Sequence, residues 1–185
     1  MNLVERKRTV EFPIEIHPLR EAELPTIERE LGLDVAAPGK HRDRFARQQE
    51  RSVVYLVAWL NDRPVGHGLV KWQGADNPEL HSIHDCPDIE DLFVNPTVRS
   101  RGIGSRLLEA AENLARERGY AKIGLAVGVE NPRAHALYES RGYRDAGAGV
   151  YTERWSLVDA NGETHHYAET CVYLIKPLRD DNYSR

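Results

Sequence analysis

Sulfur is scarce in this chain: two cysteines and one methionine in 185 residues. Cys86 and Cys171 stand far apart and outside any C-x-x-C spacing, which argues against a disulfide framework and against a structural zinc site. Isolated thiols of this kind are expected as small buried or half-buried hydrophobes. Long apolar runs are missing too. No stretch approaches the roughly 18 consecutive apolar residues of a membrane span, and the opening MNLVERKRTVEFPIEI lacks the apolar segment of a secretory leader. A cytoplasmic location with no membrane partner is the expectation. Nor is positive charge in excess: 25 Lys and Arg against 29 Asp and Glu leave a net charge of -4. That balance does not suit coating nucleic acid or an anionic surface, so the basic residues must act locally. Repeats, low-complexity tracts and linkers are absent. With 41% hydrophobic and 29% charged residues, the chain reads as one soluble domain, 1–185.

What is present is a succession of short apolar runs and amphipathic stretches. VEFPIEI (10–16) reads as a first strand, and two polar, arginine-dotted helices follow at about 20–31 and 40–51, separated by GLDVAAPG. VVYLVAWL (53–60) and VGHGLVKW (65–72) flank the turn Asn61-Asp62-Arg63-Pro64 and propose an antiparallel hairpin. DIEDLFV (88–94) is a strand ended by Asn95-Pro96, because proline offers no N–H to a ladder. In SRLLEAAENLARERG, Leu107, Leu108, Ala111, Leu114 and Ala115 recur at helical spacing and Gly119 stops the helix. AKIGLAVG (121–128) is an apolar strand, so 88–128 forms a βαβ unit with a parallel or near-parallel pair. NPRAHALYESRG (131–142) is a short helix with Asn131 as its N-cap. Two long strands, about 143–157 and 164–174, turn around Asp159-Ala160-Asn161-Gly162. The sum is a mixed sheet with helices on its faces.

Between the strand at 88–94 and the helix after it lies RSRGIGS. A strand-to-helix turn presents unpaired N–H groups and the positive end of a helix dipole, so it attracts anions. Gly102 and Gly104 let the backbone bend and approach phosphate oxygens, Arg99 and Arg101 add mobile charge, and Ser105 adds a hydroxyl. The dinucleotide fingerprint fails, since Leu107 stands where Gly or Ala is needed, and no G-x-x-x-x-G-K-S/T occurs. The pair of glycines alone serves equally well as a plain tight turn.

The surroundings decide more. IEDLFVNPTVRSRGIGSRLL, with VENPRAHALYESRGY about thirty residues on, resembles the GNAT superfamily of N-acetyltransferases in both of its strongest blocks. Arg99-Ser100-Arg101-Gly102-Ile103-Gly104 meets that family's R/Q-x-x-G-x-G/A signature. Asn131, Ala134, Leu137, Tyr138, Gly142 and Tyr143 meet its Asn-x-x-Ala-x-x-Leu-Tyr-x-x-x-Gly-Tyr/Phe pattern. The likeness is firmest over about 53–143; the helices at about 20–51, which would wall the acceptor, and the hairpin at about 143–174 agree only in order and type. It implies an α/β (α+β) fold, with a mixed, mostly antiparallel sheet of about seven strands, a splayed parallel pair and about four flanking helices. It also implies acetyl-CoA as cosubstrate. Arg99 to Ser105 would hold the pyrophosphate, Leu92, Phe93 and Val94 would pair with the pantetheine arm as an added strand, and Asn131 would lie along that arm.

The strand DIEDLFV carries three acids. Period-two geometry groups Glu90 with Leu92 and Val94, but Asp91 with Ile89 and Phe93, so parity cannot choose the inward one. An inward carboxylate would have a raised pKa and suit a general base; a solvated or salt-bridged strand end is the plainer alternative. The resemblance selects Glu90, because some members, the spermidine/spermine acetyltransferases among them, share an I-E-D strand whose glutamate is the assigned base. Asn131, Ala134, His135 and Tyr138 fall on one helix face. A tyrosine at position 138 is a core residue or, as the resemblance implies, the donor to the departing thiolate. The expected reaction is direct attack of a small-molecule amine on acetyl-CoA. The alternatives are a protein N-acetyltransferase and a non-catalytic acyl-CoA-binding regulatory module. No nucleic-acid partner and no metal are expected. His81, His84, Asp85 and Cys86 lack a recognised ligand pattern and read as a polar loop, or as the rim of the acceptor pocket. Arg42, Arg44, Arg47 and Arg51 read as a solvated face around Phe45, with an acidic acceptor group as the other use for them. Trp155, Tyr167 and Glu169 suit acceptor binding or a homodimer contact equally.

Overall fold

The computed structural model describes residues 13–31, 39–83 and 85–179. Among the described residues seven strands form one sheet. The strands are β1 (Ile14–Pro18), β2 (Val53–Leu60), β3 (Arg63–Lys71), β4 (Asp88–Val94), β5 (Lys122–Gly128), β6 (Arg144–Val158) and β7 (Thr164–Pro177). The helices are α1 (Leu24–Leu31), α2 (Lys40–Gln49), α3 (Ile103–Glu117) and α4 (Pro132–Ser140), with three 3-10 turns between them. Residues 10–12 of the expected first strand and 32–38 of the expected breaker lie outside the described residues.

The strand order is β1-β2-β3-β4-β5-β7-β6. All neighbours are antiparallel except β4 and β5. That pair is registered at Asp88↔Gly124 alone, whereas β5 and β7 are registered over seven pairs, from Lys122↔Pro177 to Gly128↔Cys171. Beyond Asp88, β4 and β5 therefore separate and leave a notch between 89–94 and 125–128.

The pleat of β4 is interrupted. His67↔Phe93 is followed by Leu69↔Glu90, so two steps on β3 face three on β4, and Asp91 takes a positive φ of 50°. One extra residue reverses the in-out alternation. Ile89, Leu92 and Val94 pack toward the α3 side. Glu90 reaches Lys71, and Asp91 lies toward His67, both on the opposite face. The parity grouping made from the sequence is thus corrected: both acids share one face, because the bulge inserts a residue that period-two reasoning cannot see.

The main core joins α3 and α4 to one face of the sheet through Leu56, Val70, Ile89, Leu107, Leu108, Ile123, Leu125 and Tyr138. The fully buried Leu107 and Leu108 each contribute about 2 kcal/mol of apolar burial. On the other face α1 and α2 cover Tyr55, Val57, Trp59 and Leu69. Further along, Leu80, Tyr151 and Tyr173 close over Cys86 and Cys171, which form no disulfide and are buried in one cluster, as their isolation in the sequence suggested. No helix among the described residues is long and apolar enough to cross a membrane.

One buried charge ties α3 to the sheet. Glu112 is 2% exposed and accepts from Lys176 Nζ at 2.6 Å and from the Tyr143 hydroxyl at 3.3 Å, with Arg116 at 3.6 Å. Removing one partner of such a set strands the others away from water. Glu112→Ala is expected to lower the unfolding free energy by roughly 3 kcal/mol in urea titrations; a loss under about 0.5 kcal/mol would show that the set is no more than surface charge.

Candidate active site

The glycine turn is built by backbone geometry. Gly102 is the N-cap of α3 in the left-handed region, at φ 77°, and Ser100 before it also has a positive φ, 64°. Only glycine adopts such a conformation without penalty, so Gly102 makes the bend. Gly104 does something else: it lies inside the first turn of α3, where an added Cβ would stand 3.1 Å from Leu137 of α4. Its bareness lets α3 and α4 approach at the cleft. No side chain caps α3, so the N–H groups of Ile103, Gly104 and Ser105 face the cleft without an intrahelical partner.

That cleft has a volume of about 410 Å³ and runs from the end of β4 to the inner side of α4. Leu92, Phe93, Val94, Arg99, Ser100, Gly102, Ile103, Gly104, Ser105 and Asn131 line it, all singled out from the sequence. Arg101 does not; it is exposed beside the turn. Arg133, Ala134 and Leu137 are added to the lining. Arg133 donates to the Ser100 hydroxyl at 3.2 Å and so brings a further cation to the turn. Its signal in the sequence was faint: a lone arginine in the first turn of a short helix. Arg99 donates from Nε to the Val94 carbonyl at 3.0 Å. Asn131 accepts from the Ala134 N–H at 3.1 Å, capping α4 while lining the cleft.

Tyr138 reaches the cleft from α4 and is 8% exposed. Burial alone pushes its phenol up to about 12, so it carries its proton at neutral pH and can donate it. His135, grouped with it by helical spacing, does not line the cleft; Leu137 does.

The carboxylates gather on the other face. Lys71, 3% exposed, donates to Glu90 at 3.2 Å and also pairs with Asp76. Asp88 is 4% exposed and accepts from the Tyr173 hydroxyl at 2.9 Å. Tyr173 can cross β5 to make that bond because Gly124 leaves its path clear; a Cβ there would collide with the ring. Burial, and then the charge of Glu90, push the Asp88 carboxyl up to about 7, against the opposing pull of the Tyr173 hydrogen bond and Lys71. The raised value expected for an inward strand carboxylate thus falls on Asp88, which sequence reasoning passed over as one of three acids at a strand start. Glu90 itself has a side chain 33% exposed.

Asp91 is taken up by α2. Arg44, its side chain 13% exposed, and Lys40, at 3.2 Å, both pair with it. Arg44 therefore leaves the solvated face to which the sequence assigned it, because the bulge turns Asp91 toward α2. Arg42 stays on the surface, paired with Glu28 at 3.0 Å. Beside them His67 is 3% exposed; burial, then the charges of Arg44 and Lys40, hold its imidazole well below its usual range. Of the polar loop, Asp85 is exposed and Cys86 buried, while His84 and the side chain of His81 lie outside the described residues.

A family model described as Acetyltransferase (GNAT) family matches residues 15–143. The IAA acetyltransferase of Azospirillum brasilense is 30% identical over 133 residues, which cover 70% of this chain and 82% of that protein. An uncharacterised N-acetyltransferase of Methanocaldococcus jannaschii is 33% identical over 91 residues, 49% of this chain and 39% of that one, so the chain matches well under half of that relative's length. Among solved structures, the PaiA N-acetyltransferase of Thermoplasma acidophilum in complex with coenzyme A has a TM-score of 0.58 at 15% identity, over 89% of this chain and 99% of that one. That likeness is one of fold.

The buried Asp88 has a consequence for stability. A carboxyl raised from about 3.9 in the unfolded chain to about 7 in the folded one holds its proton longer when folded. The folded state binds more protons between these values, so stability is greatest below pH 4 for this group and declines as pH rises toward 7. Asp88→Asn is expected to flatten that decline, by a few kcal/mol across the window, in urea titrations at stepped pH; an identical slope in both proteins would show that Asp88 titrates normally.

Proposed function

This chain belongs to the GNAT family of acetyltransferases, and we propose that it moves the acetyl group of acetyl-CoA to a primary amine on a small molecule by direct attack. The observation that carries the reading is the junction at the notch: a helix N-terminus with three open N–H groups, a cleft along the end of β4, and a protonated tyrosine at the cleft's inner wall. The open N–H groups and Arg133 suit a pyrophosphate. The separation of β4 from β5 leaves the Leu92–Val94 edge free to take an extended amide-bearing arm as an added strand. Asn131 suits that arm as well, since its cap uses only the side-chain oxygen.

In the proposed reaction the amine loses a proton to a carboxylate of β4, through water, and attacks the acetyl carbonyl. An N–H near Val94 would stabilise the oxyanion, and Tyr138 would protonate the departing thiolate. Holding both reactants in line supplies much of the acceleration, so no acetyl-enzyme is needed. Both cysteines are buried away from the cleft. Glu90 is the first choice of base because it is partly exposed on the face where an acceptor would enter. A second reading has Asp88 in that role, favoured by its pKa of about 7. A small-molecule acceptor is preferred to a protein because no peptide-docking motif or strongly acidic tract appears in the sequence.

Coenzyme A release over a panel of amines, read with mass spectrometry of the products, tests the reaction; binding of acetyl-CoA without turnover on any amine would favour the non-catalytic module. Tyr138→Phe is expected to reduce kcat by about 10- to 100-fold while the acetyl-CoA Kd from calorimetry stays within about twofold. Full activity in that variant would return Tyr138 to the core. The base is identified by the variant, Glu90→Gln or Asp88→Asn, that loses the fall of kcat/KM at acidic pH together with about 100-fold or more in rate. Retention of the fall in both would remove both from the role.

A further inference from the structure

The strand that edges the cleft is held out of regular geometry from its far side. Asp91 adopts a φ of 50° in the middle of β4, where the register against β3 shifts between His67 and Leu69. A residue with a Cβ stays in the left-handed region only when its surroundings keep it there, even where, as for aspartate, the penalty is modest. Those surroundings belong to α2. Arg44 donates to one oxygen of the Asp91 carboxylate, and Lys40 stands 3.2 Å from the same atom. His67 lies 4.0 Å from that oxygen, but its burial holds the imidazole well below its usual range, so it adds no charge at neutral pH.

Arg44 is itself fixed. Its side chain is 13% exposed, and its guanidinium lies 5.4 Å from the centre of the Tyr55 ring. One side chain fastens α2 to the sheet: Gln48 accepts from the Tyr55 N–H at 2.9 Å and donates to the Leu19 carbonyl at 2.8 Å. On the α3 side the displaced backbone has room because β3 carries glycine there. A Cβ on Gly66 would stand 2.7 Å from the Phe93 carbonyl oxygen and 3.4 Å from Leu107 of α3, and one on Gly68 would stand 3.2 Å from the Leu92 side chain. Ion pairs on one face and bare positions on the other thus bracket residues 91–93, and Leu92, Phe93 and Val94 line the cleft.

We propose that Arg44 and Lys40 are positioning residues for the carrier: by holding Asp91 they fix the backbone of Leu92–Val94 in the conformation that takes the acetyl-CoA arm. The inference rests on the acetyl-transfer reading above. Neither Arg44 nor Lys40 lines the cleft, so both act through Asp91 and not on the ligand.

Glycine separates this role from plain stabilisation, because it accepts a positive φ without a partner. In acetyl-CoA titrations followed by calorimetry on the full chain, Asp91→Ala is expected to raise Kd by about tenfold, and Asp91→Gly by no more than about threefold. Arg44→Met is expected to raise Kd by about fivefold, yet to add less than about twofold in the Asp91→Gly background, because its effect passes through Asp91. Equal losses in Asp91→Ala and Asp91→Gly, no loss in Arg44→Met, or the same loss for Arg44→Met in both backgrounds would each overturn the positioning role. The two Asp91 variants decide the matter even if Arg44→Met does not fold. Backbone chemical shifts of Leu92, Phe93 and Val94, measured without coenzyme A, are expected to move in Asp91→Ala and to stay near those of the wild type in Asp91→Gly; equal movement in both, or none in either, would also overturn the role. Failure of acetyl-CoA to bind the wild type would overturn the transferase reading, and the shifts would then still test the hold of α2 on the strand.

Discussion

The separation of β4 from β5 after a single registered pair is the constraint on which the site depends. Parallel neighbours normally continue pairing, because an unpaired strand edge inside a sheet leaves N–H and C=O groups unsatisfied. Here the two strands are pulled toward different partners. β5 is held along its whole length by β7, while β4 follows β3 through a bulge at Asp91. Asp91 is kept at its positive φ by Arg44 and Lys40 of α2. The helix on one face thus holds the backbone that the other face exposes to a ligand. A strand edge that loses its parallel neighbour after one registered pair is the kind of edge to which an extended amide chain adds in the proposed function.

The two faces of the notch were unequally legible in the sequence. α3, its preceding turn and the lining of the cleft came from signals within a few residues of one another: apolar spacing in 107–115, glycines at the helix start, a capping asparagine before α4. Local signals survive folding because the groups that make them are neighbours in the chain. The opposite face is set by contacts far apart in sequence, which local patterns do not carry. Asp88 acquires its pKa from Tyr173 and from the clearance at Gly124, neither recognisable beside it in the chain. Arg44 was assigned to a solvated face because nothing in HRDRFARQQER distinguishes the arginine that meets Asp91. Parity across DIEDLFV failed for the same reason, since a bulge is a response to two neighbouring strands rather than to the strand's own composition.

Glycine has three separate uses here. Gly102 supplies a left-handed φ at the helix cap, Gly104 a close approach between helices, and Gly124 and Gly128 a bare surface on β5. The last use is the least expected, because glycine weakens a strand. Its compensation is that Tyr173 and Glu169, rooted on β7, lie across β5 and bring a phenol and a carboxylate to the rim of the notch. Beyond Lys122, β5 itself thereby carries only Gly124, Ala126 and Gly128 on that face, and its neighbour supplies the polar groups.

The distribution of charge then follows from what each face must hold. On the α3 side the helix N-terminus, Arg99 and Arg133 collect positive potential beside the cleft, suited to a polyanionic carrier. On the other side Asp88, Glu90 and Glu153 gather about Lys71, and burial first, with the charge of Glu90 adding to it, pushes up the carboxyls of Asp88 and Glu153. A carboxyl poised near neutrality takes a proton from an ammonium group more readily than one that is fully solvated. The positive cleft and the buried carboxyls of the opposite face therefore lie on either side of one gap between two strands, and the proposed transfer needs both: a carrier held on one side, a proton taken up on the other.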